Sequence, residues 1–435
     1  MAAKNIQIGK IGSKNVEVNF TGGTITSDAG LLVLKEIEEK TKFLEQVASV
    51  IPDYRQAEKV QHSKLSQVTQ RVHSLIQGYE DCNDQTTLRE DKALQLSCGK
   101  EEALSSPSTL CRFENAITMD DCKNIAVKIF EFIIEKEEKT PEEIILDFDS
   151  SDIEIYGNQE GKHYHGYYDS YCYLPLYIYW DKKPLLCLLR PSNIDGAKKA
   201  FGALKLIIQK LKEKWPKVRI ILRGDSGFCR DKMIKNLSNK YNIKYIIGIP
   251  KNNRLNKLLE ETMNKAKEQF KETKIKQQLF TSFQYKAGSW DEERRVIGKA
   301  EFGEKGENTR CVITNISGDP KILYKDLYCA RGESENRVKE VQMQLFSCRA
   351  SCKKMIHNQF RMLLSQIAVV IMEYVRNSLL RSSKFAKCSF STIRNKLLKI
   401  GAVIVFNTRR YIFKLPSTFP YKEEILALFG YLSSA

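Results

Sequence analysis

Asp147 and Asp149 stand at the end of an apolar run, Ile144–Phe148, and their spacing of two puts both on one side of an extended strand. Asp225 follows a second apolar run, Val218–Leu222, inside the turn Arg223-Gly-Asp-Ser-Gly227. A carboxylate at the polar end of a buried strand is costly to desolvate, so it is often there for a use. Acids gathered from separate elements make the oxygen cage that a hard cation such as Mg²⁺ requires. Two such ions about 3.5–4 Å apart can activate a nucleophile and stabilise the leaving oxygen at a phosphodiester. A third acid would come from a helix, and Glu333, Glu335 and Glu340 are the candidates. Each acid also has a plainer reading. Asp147 would serve as a salt-bridge partner and Asp225 as a helix cap. Arg331, Glu335 and Lys339, at spacing four, would form an exposed ion-pair ladder. In the chemical reading one of these acids binds metal while Tyr328, Arg331 and Lys339 hold phosphates.

The elements that must position these acids follow from the hydrophobic pattern. From Pro141 the chain predicts strands at Ile144–Phe148, His163–Trp180 and Pro184–Leu189. A helix over Asp195–Lys214, a strand at Val218–Leu222, a helix over Asp231–Lys240 and a strand at Ile243–Ile249 follow. The fold class is α/β: a mixed sheet with helices on its faces. Residues 251–324 interrupt it as a β-rich insertion with strands at Phe280–Tyr285, Arg294–Lys299 and Cys311–Asn315. Residues 325–384 return to helix, and 385–435 form a basic C-terminal segment with Arg394, Lys396 and Lys399. Residues 1–140 are mainly helical after a short hairpin, with one helix from Ser63 to Gln77 that stops at Gly78. Its side chains Lys64, Gln67, Gln70 and Arg71 suit either DNA binding or a plain helical bundle.

Composition narrows the partners. Lys and Arg total 70 against 53 Asp and Glu, a net charge of +17, which favours an acidic polymer, chiefly nucleic acid. The 12 cysteines contain no CxxC, and the pair Cys348 and Cys352 with His357 lacks a fourth zinc ligand, so reduced thiols are expected. The apolar stretch Met362–Met372 falls short of the roughly 20 residues needed to cross a bilayer. No export signal is visible, and a cytoplasmic, nucleoid-associated protein is expected.

Several blocks resemble a known family. They are Gly78-Tyr-Glu-Asp-Cys-Asn-Asp84, Ser108-Thr-Leu-Cys-Arg-Phe-Glu-Asn115, Gln159-Glu-Gly161, His165-Gly-Tyr-Tyr168 and Tyr171-Cys-Tyr-Leu-Pro-Leu-Tyr177. Leu189-Arg-Pro-Ser-Asn193, Arg223-Gly-Asp-Ser-Gly-Phe-Cys-Arg230, Tyr328-Cys-Ala-Arg-Gly332 and Glu335-Asn-Arg337 continue the series. Together they resemble the DDE transposases of bacterial insertion sequences, within the insertion-sequence-four superfamily and its thirteen-eighty family.

The resemblance implies a ribonuclease-H-like catalytic domain with a β-rich insertion before its last catalytic helix. It implies a metal-binding triad of Asp149, Asp225 and Glu335, because the first acid in such proteins precedes small hydroxyl residues, as in Asp149-Ser150-Ser151. The family's signature of Tyr, two residues, Arg, three residues, Glu, six residues, Lys fits Tyr328, Arg331 and Glu335, but Gln342 stands in the lysine position. The implied activity is cut-and-paste transposition with Mg²⁺, or Mn²⁺ in its place, through a hairpin intermediate. Its partners would be the element's terminal repeats and target double-stranded DNA, bound by a homodimer. DNA contacts are expected at Tyr328, Arg331, Lys339, Gln342, Arg223 and Arg230. Trp290 in the insertion has two readings: a core residue packing two strands, or, as the resemblance implies, a side chain partly exposed towards the acids that holds an extruded base.

Overall fold

Eight strands carry the acids' scaffold in the computed structural model, which describes residues 5–433. They are β1 (Glu143–Ser150), β2 (Leu176–Trp180), β3 (Lys183–Leu188), β4 (Arg219–Gly224), β5 (Lys244–Ile249), β6 (Gln277–Tyr285), β7 (Arg294–Gly303) and β8 (Gly306–Thr314). They form one sheet in the order β6-β7-β8-β5-β4-β1-β2-β3. β1, β4 and β5 are parallel, and β2, β3 and β8 join antiparallel. The apolar runs of β4 (Ile220, Ile221, Leu222) and β5 (Tyr245, Ile246, Ile247) are buried almost end to end, as parallel strands covered on both faces must be. Helix α1 (Ala200–Lys214) precedes β4, and α2 (Asp231–Tyr241) makes the crossover from β4 to β5. α3 (Glu260–Thr273) packs on β6 and β7. α4 (Gly332–Gln344) follows the sheet in sequence. This is the mixed, ribonuclease-H-like sheet with flanking helices that the hydrophobic pattern and the resemblance predict.

The expected β-rich insertion follows β5, and its strands extend the same sheet, because β8 pairs Cys311–Thr314 against Ile246–Ile249 of β5. That pairing satisfies an edge of β5 that would otherwise be open. The strand expected over His163–Trp180 is broken into His163–His165, Ser170–Tyr173 and β2. Asp169 takes a left-handed φ of 52° in the first break, and Pro175, without an N–H, lies in the second.

By contacts the chain divides into two units. The one holding the sheet comprises Ile129–Gln342 and Cys348–Met362. The other comprises the chain up to Lys128, Met343–Ser347 and the chain from Leu363 onward. Within this second unit the helix Lys64–Gln77 ends on Gly78 at φ 93°, as expected. Gln67, Gln70 and Arg71, however, are buried. Arg71 pairs with Glu114 at 2.7 Å, and Gln70 bonds Gln85 and the Ser105 carbonyl. That face is a polar core rather than a DNA-reading surface. Arg394 is buried too, on the carbonyls of Leu75, Ile76 and Gln344. The C-terminal strands Ala402–Asn407 and Arg410–Lys414 join Thr24–Thr26 in a three-stranded sheet. None of the twelve cysteines forms a disulfide. Among the described residues no helix is long and apolar enough to cross a membrane.

Candidate active site

The register of β1 against β4 organises the acids into two rungs. Asp147 lies opposite Arg223 and Phe148 opposite Gly224, so the next position sets Asp149 beside Asp225 where both strands end. On the inner rung Asp147 is 2% exposed, and its two oxygens accept from Nε and Nη2 of Arg223 at 2.5 and 2.7 Å. Nη1 of Arg223 donates to the Leu327 carbonyl at 2.7 Å. Arg223 was expected at DNA; instead it is buried, with its guanidinium on Asp147 and Leu327. The spacing of two makes Asp147 and Asp149 equivalent by face, and only the cross-strand partner separates them. On the outer rung Asp225 accepts from the Gly227 N–H at 2.8 Å, capping the turn it begins.

The third element is a helical run whose winding changes on the way to Glu335. Leu323–Tyr328 is π-helical, Cys329–Arg331 is 3₁₀, and α4 follows. Such π turns concentrate at functional sites. Leu323 and Tyr324 anchor one end in a cluster with Ile246, Ile297 and Val312. Val338 anchors the other among Tyr177, Tyr179, Leu189 and Met362, and Arg337 reaches Asp181 at 3.1 Å. Between the anchors, Arg331 pairs closely with Glu335 and lies 3.6 Å from Asp149. Tyr328 packs its ring partly on the apolar cluster and brings its hydroxyl to Gly248 of β5.

A methyl group at Gly248 would stand 2.8 Å from both the Tyr328 hydroxyl and the Ser226 backbone nitrogen. Neither position leaves room, since one is backbone beside Asp225 and the other is wedged by the cluster. Gly248→Ala is therefore expected to lower DNA cleavage by about a hundredfold, the scale on which small misplacements of a site act. Cleavage at the wild-type rate in a folded Gly248→Ala protein would show that the Tyr328 position is incidental.

The field at this site is negative and only partly compensated. Burial pushes Asp149 up to about 7; Arg331 opposes the shift, and Asp225 and Glu335 add to it. Arg331 keeps its proton more tightly than usual: burial works against its charge, and the surrounding Asp149, Glu335, Tyr328 and Asp225 outweigh it. Nη1 of Arg331 is buried without a hydrogen-bond acceptor among the described residues. Burial, then Asp152, Asp149, Tyr167 and Asp225 in turn, raise Tyr168, which puts that residue within the acids' field. As the side chains lie, no three His, Cys, Asp or Glu among the described residues form a closed metal cage. The donor set nonetheless fits hard divalent ions: carboxylate oxygens only, like charges that repel, and one guanidinium serving as their counter-charge. A cation binding there must displace the Asp149 proton below about pH 7. Mn²⁺ affinity, followed by calorimetry, is expected to rise about tenfold per pH unit up to that point and then level off. Affinity that stays constant from acid pH to neutrality would remove Asp149 from the ligands.

Other expected contacts divide. Lys339 and Arg230 are exposed, the latter paired with Asp195. Gln342, expected at a phosphate, is buried on the inward face of α4 with Ser334, Val338 and Val341. Its amide donates to the Asp152 carbonyl at 3.2 Å and the Tyr177 hydroxyl at 3.4 Å. Trp290, expected to be partly exposed towards the acids, is 8% exposed. It packs edge-on against Tyr285 at 5.6 Å and under the Arg294 guanidinium, which Asp231 holds. The turn before it folds the indole back onto its own strands, so the expected exposed base-holding position is not there.

Sequence reasoning missed Arg190. It is fully buried, and burial pulls its pKa down to about 10. Nε donates to the Leu174 carbonyl at 2.8 Å, Nη1 to Gly196 and Lys198 carbonyls at 2.7 Å, and Nη2 to the Ser150 hydroxyl at 2.7 Å. One rigid fork thus holds the residue after Asp149, the approach to β2 and the loop before α1. The block Leu189-Arg-Pro-Ser-Asn193 was its signal.

The mixed sheet with acids at its strand ends agrees with the family to which the chain belongs. The family model of the transposase DDE domain, group 1, matches residues 8–435, and the chain belongs to that family of DNA-cleaving transposases. Enzymes with this domain use divalent metal ions. A solved structure, a piggyBac transposase synaptic complex with hairpin DNA, is similar over 86% of this chain and 80% of that one. The TM-score is 0.44 at 11% identity, too distant a likeness to transfer any residue's role. No curated protein matches the chain.

Proposed function

We propose that Asp149, Asp225 and Glu335 hold two divalent ions, Mg²⁺ with Mn²⁺ as a substitute, and that the chain excises and reinserts a bacterial insertion sequence. The observation that carries this reading is the outer rung: two acids side by side at parallel strand ends, with Glu335 joined to Asp149 through Arg331. When bound, the ions activate water and neutralise charge at phosphorus. Arg331 then has its acids otherwise compensated and is free to donate to a DNA phosphate, with the Tyr328 hydroxyl beside it. Lys339 and Arg230 bind the DNA backbone further out. The products are a 3′-hydroxyl at the element's end and, after its attack, a joined target strand. The motif blocks support the finer placement in the insertion-sequence-four superfamily and its thirteen-eighty family, with a hairpin intermediate and a dimer that pairs the two ends.

The test incubates the chain with DNA flanking its own gene, a target plasmid and Mg²⁺. Nicks at the element's ends and labelled ends joined to plasmid are expected. Nicking without joining would make the chain a nuclease, and binding without cleavage in Mg²⁺ or Mn²⁺ would make it a DNA-binding protein.

A further inference from the structure

Beside the acids stands a group of aromatic side chains that the proposed chemistry leaves unused. Ile153–Glu154, His163–His165 and Ser170–Tyr173 form a three-stranded sheet with the last strand in the middle. It begins directly after the Asp149–Asp152 stretch and leads into β2, which pairs with the acid-bearing end of β1. Its inner residues Ile153, Cys172 and Tyr173 are buried, and the Ser192 hydroxyl donates to the His163 carbonyl at 2.8 Å. On this fixed base the outer rings face solvent: Tyr164 is 54% exposed, Tyr167 86% and Tyr171 51%. Tyr164 and Tyr171 meet edge-on at 5.7 Å, and Tyr167 meets Tyr168 at 5.0 Å. Lys162 lies over the Tyr171 ring at 4.5 Å. The Tyr164 hydroxyl is already bonded to Asp169, so the ring faces are what remains to offer.

Tyrosines usually bury their rings, and three outward rings beside a cation form a surface for flat π systems. The neighbouring Asp149 is only 15% exposed, so a phosphodiester reaches it best on a strand that has left the duplex. Such a strand carries unpaired bases, whose faces stack on aromatic rings whatever their sequence. We infer that Tyr164, Tyr167 and Tyr171, with Lys162, form a stacking platform for the unpaired bases of the DNA strand being cut at Asp149 and Asp225. This rests on the proposed function, and it moves the base-holding role from buried Trp290 to the sheet beside the acids.

The full chain is titrated by fluorescence anisotropy with two probes made from its flanking DNA: a blunt duplex and the same duplex ending in a short unpaired flap. Wild type is expected to prefer the flap by about tenfold, the scale of one or two stacked bases. Tyr167→Ala and Tyr164→Ala bring the ratio of affinities close to one, whereas Tyr167→Phe keeps it, since the face and not the hydroxyl is used. With 5-iodouracil in the flap, photo-crosslinking maps to the peptide holding residues 163–171. A Tyr167→Ala protein that keeps the preference, or a crosslink that maps to the Trp290 peptide, overturns the platform while leaving the cleavage chemistry standing. Absence of metal-dependent cleavage by wild type is a separate result, and it removes the proposed function and the platform together.

Discussion

Asp225→Ala should lower metal-dependent DNA cleavage by a factor on the order of 10³ or more, with DNA binding retained. Asp225 directly follows β4 beside Asp149, and it is the carboxylate that this strand's end brings to the rung. The hydrogen bond it accepts from the Gly227 N–H shapes the turn, and a two-residue cap is a small part of the fold's stability. Removing a negative charge from a site that receives phosphate does not weaken backbone contacts. Asp149→Asn and Glu335→Gln should behave in the same way. Gel analysis of end-labelled DNA in Mg²⁺ reads the cleavage, and mobility shift reads the binding. Substantial cleavage by Asp225→Ala would leave the outer rung without a catalytic role.

The second large effect concerns stability and separates the two rungs. Asp147→Ala leaves the buried Arg223 guanidinium without its bidentate partner. Breaking a buried pair in this way costs about 3–5 kcal/mol, and Arg223 also ties the strand to the Leu327 carbonyl just before the Tyr328–Glu335 run. Asp149→Asn should act in the opposite sense at pH 8. A carboxyl whose pKa is raised to about 7 in the fold contributes stability below its ordinary unfolded value, and loses it as pH rises through 7. A neutral amide escapes that loss, so the variant is at least as stable as wild type in metal-free buffer at pH 8. Urea unfolding of both variants checks the pair. Equal destabilisation by the two substitutions would contradict the division into a structural and a chemical rung.

The contrast between these neighbours shows how far the site was legible in the sequence. Apolar runs ending in acids are visible as such, because burial forces the strand pattern and the chain must turn polar where a strand leaves the core. That brought Asp149 and Asp225 forward, and the Tyr328, Arg331, Glu335 spacing brought the third element. What the pattern does not carry is the partner across the strand. Asp147 and Arg223 neutralise each other through register, which a single strand's sequence does not contain. Gln342 and Trp290 failed for a related reason: helix phase and turn geometry decide which way one side chain points, and both point inward. Gln67, Gln70 and Arg71 suited DNA contact or a helical bundle alike, and the bundle is what forms: Gln70 bonds Gln85 and the Ser105 carbonyl, and Arg71 pairs with Glu114. The β-rich insertion after Pro250 was legible as strands, but nothing local shows that β8 completes an edge of β5. Arg190 escaped notice because its four hydrogen bonds go to three carbonyls and a hydroxyl, which no charge pattern in the sequence marks.

The central claim is that Asp149, Asp225 and Glu335 are the ligands of a metal pair, and anomalous scattering from Mn²⁺ in crystals of the DNA-bound chain tests it most directly. Two peaks are predicted about 3.5–4 Å apart, each within ligand reach of Asp149 and at least one reaching Asp225 or Glu335. Arg331 should have turned from the acids to a phosphate. Peaks at Asp147, or a DNA-bound site in which Arg331 still bridges Asp149 and Glu335 with no metal between the acids, would contradict the account.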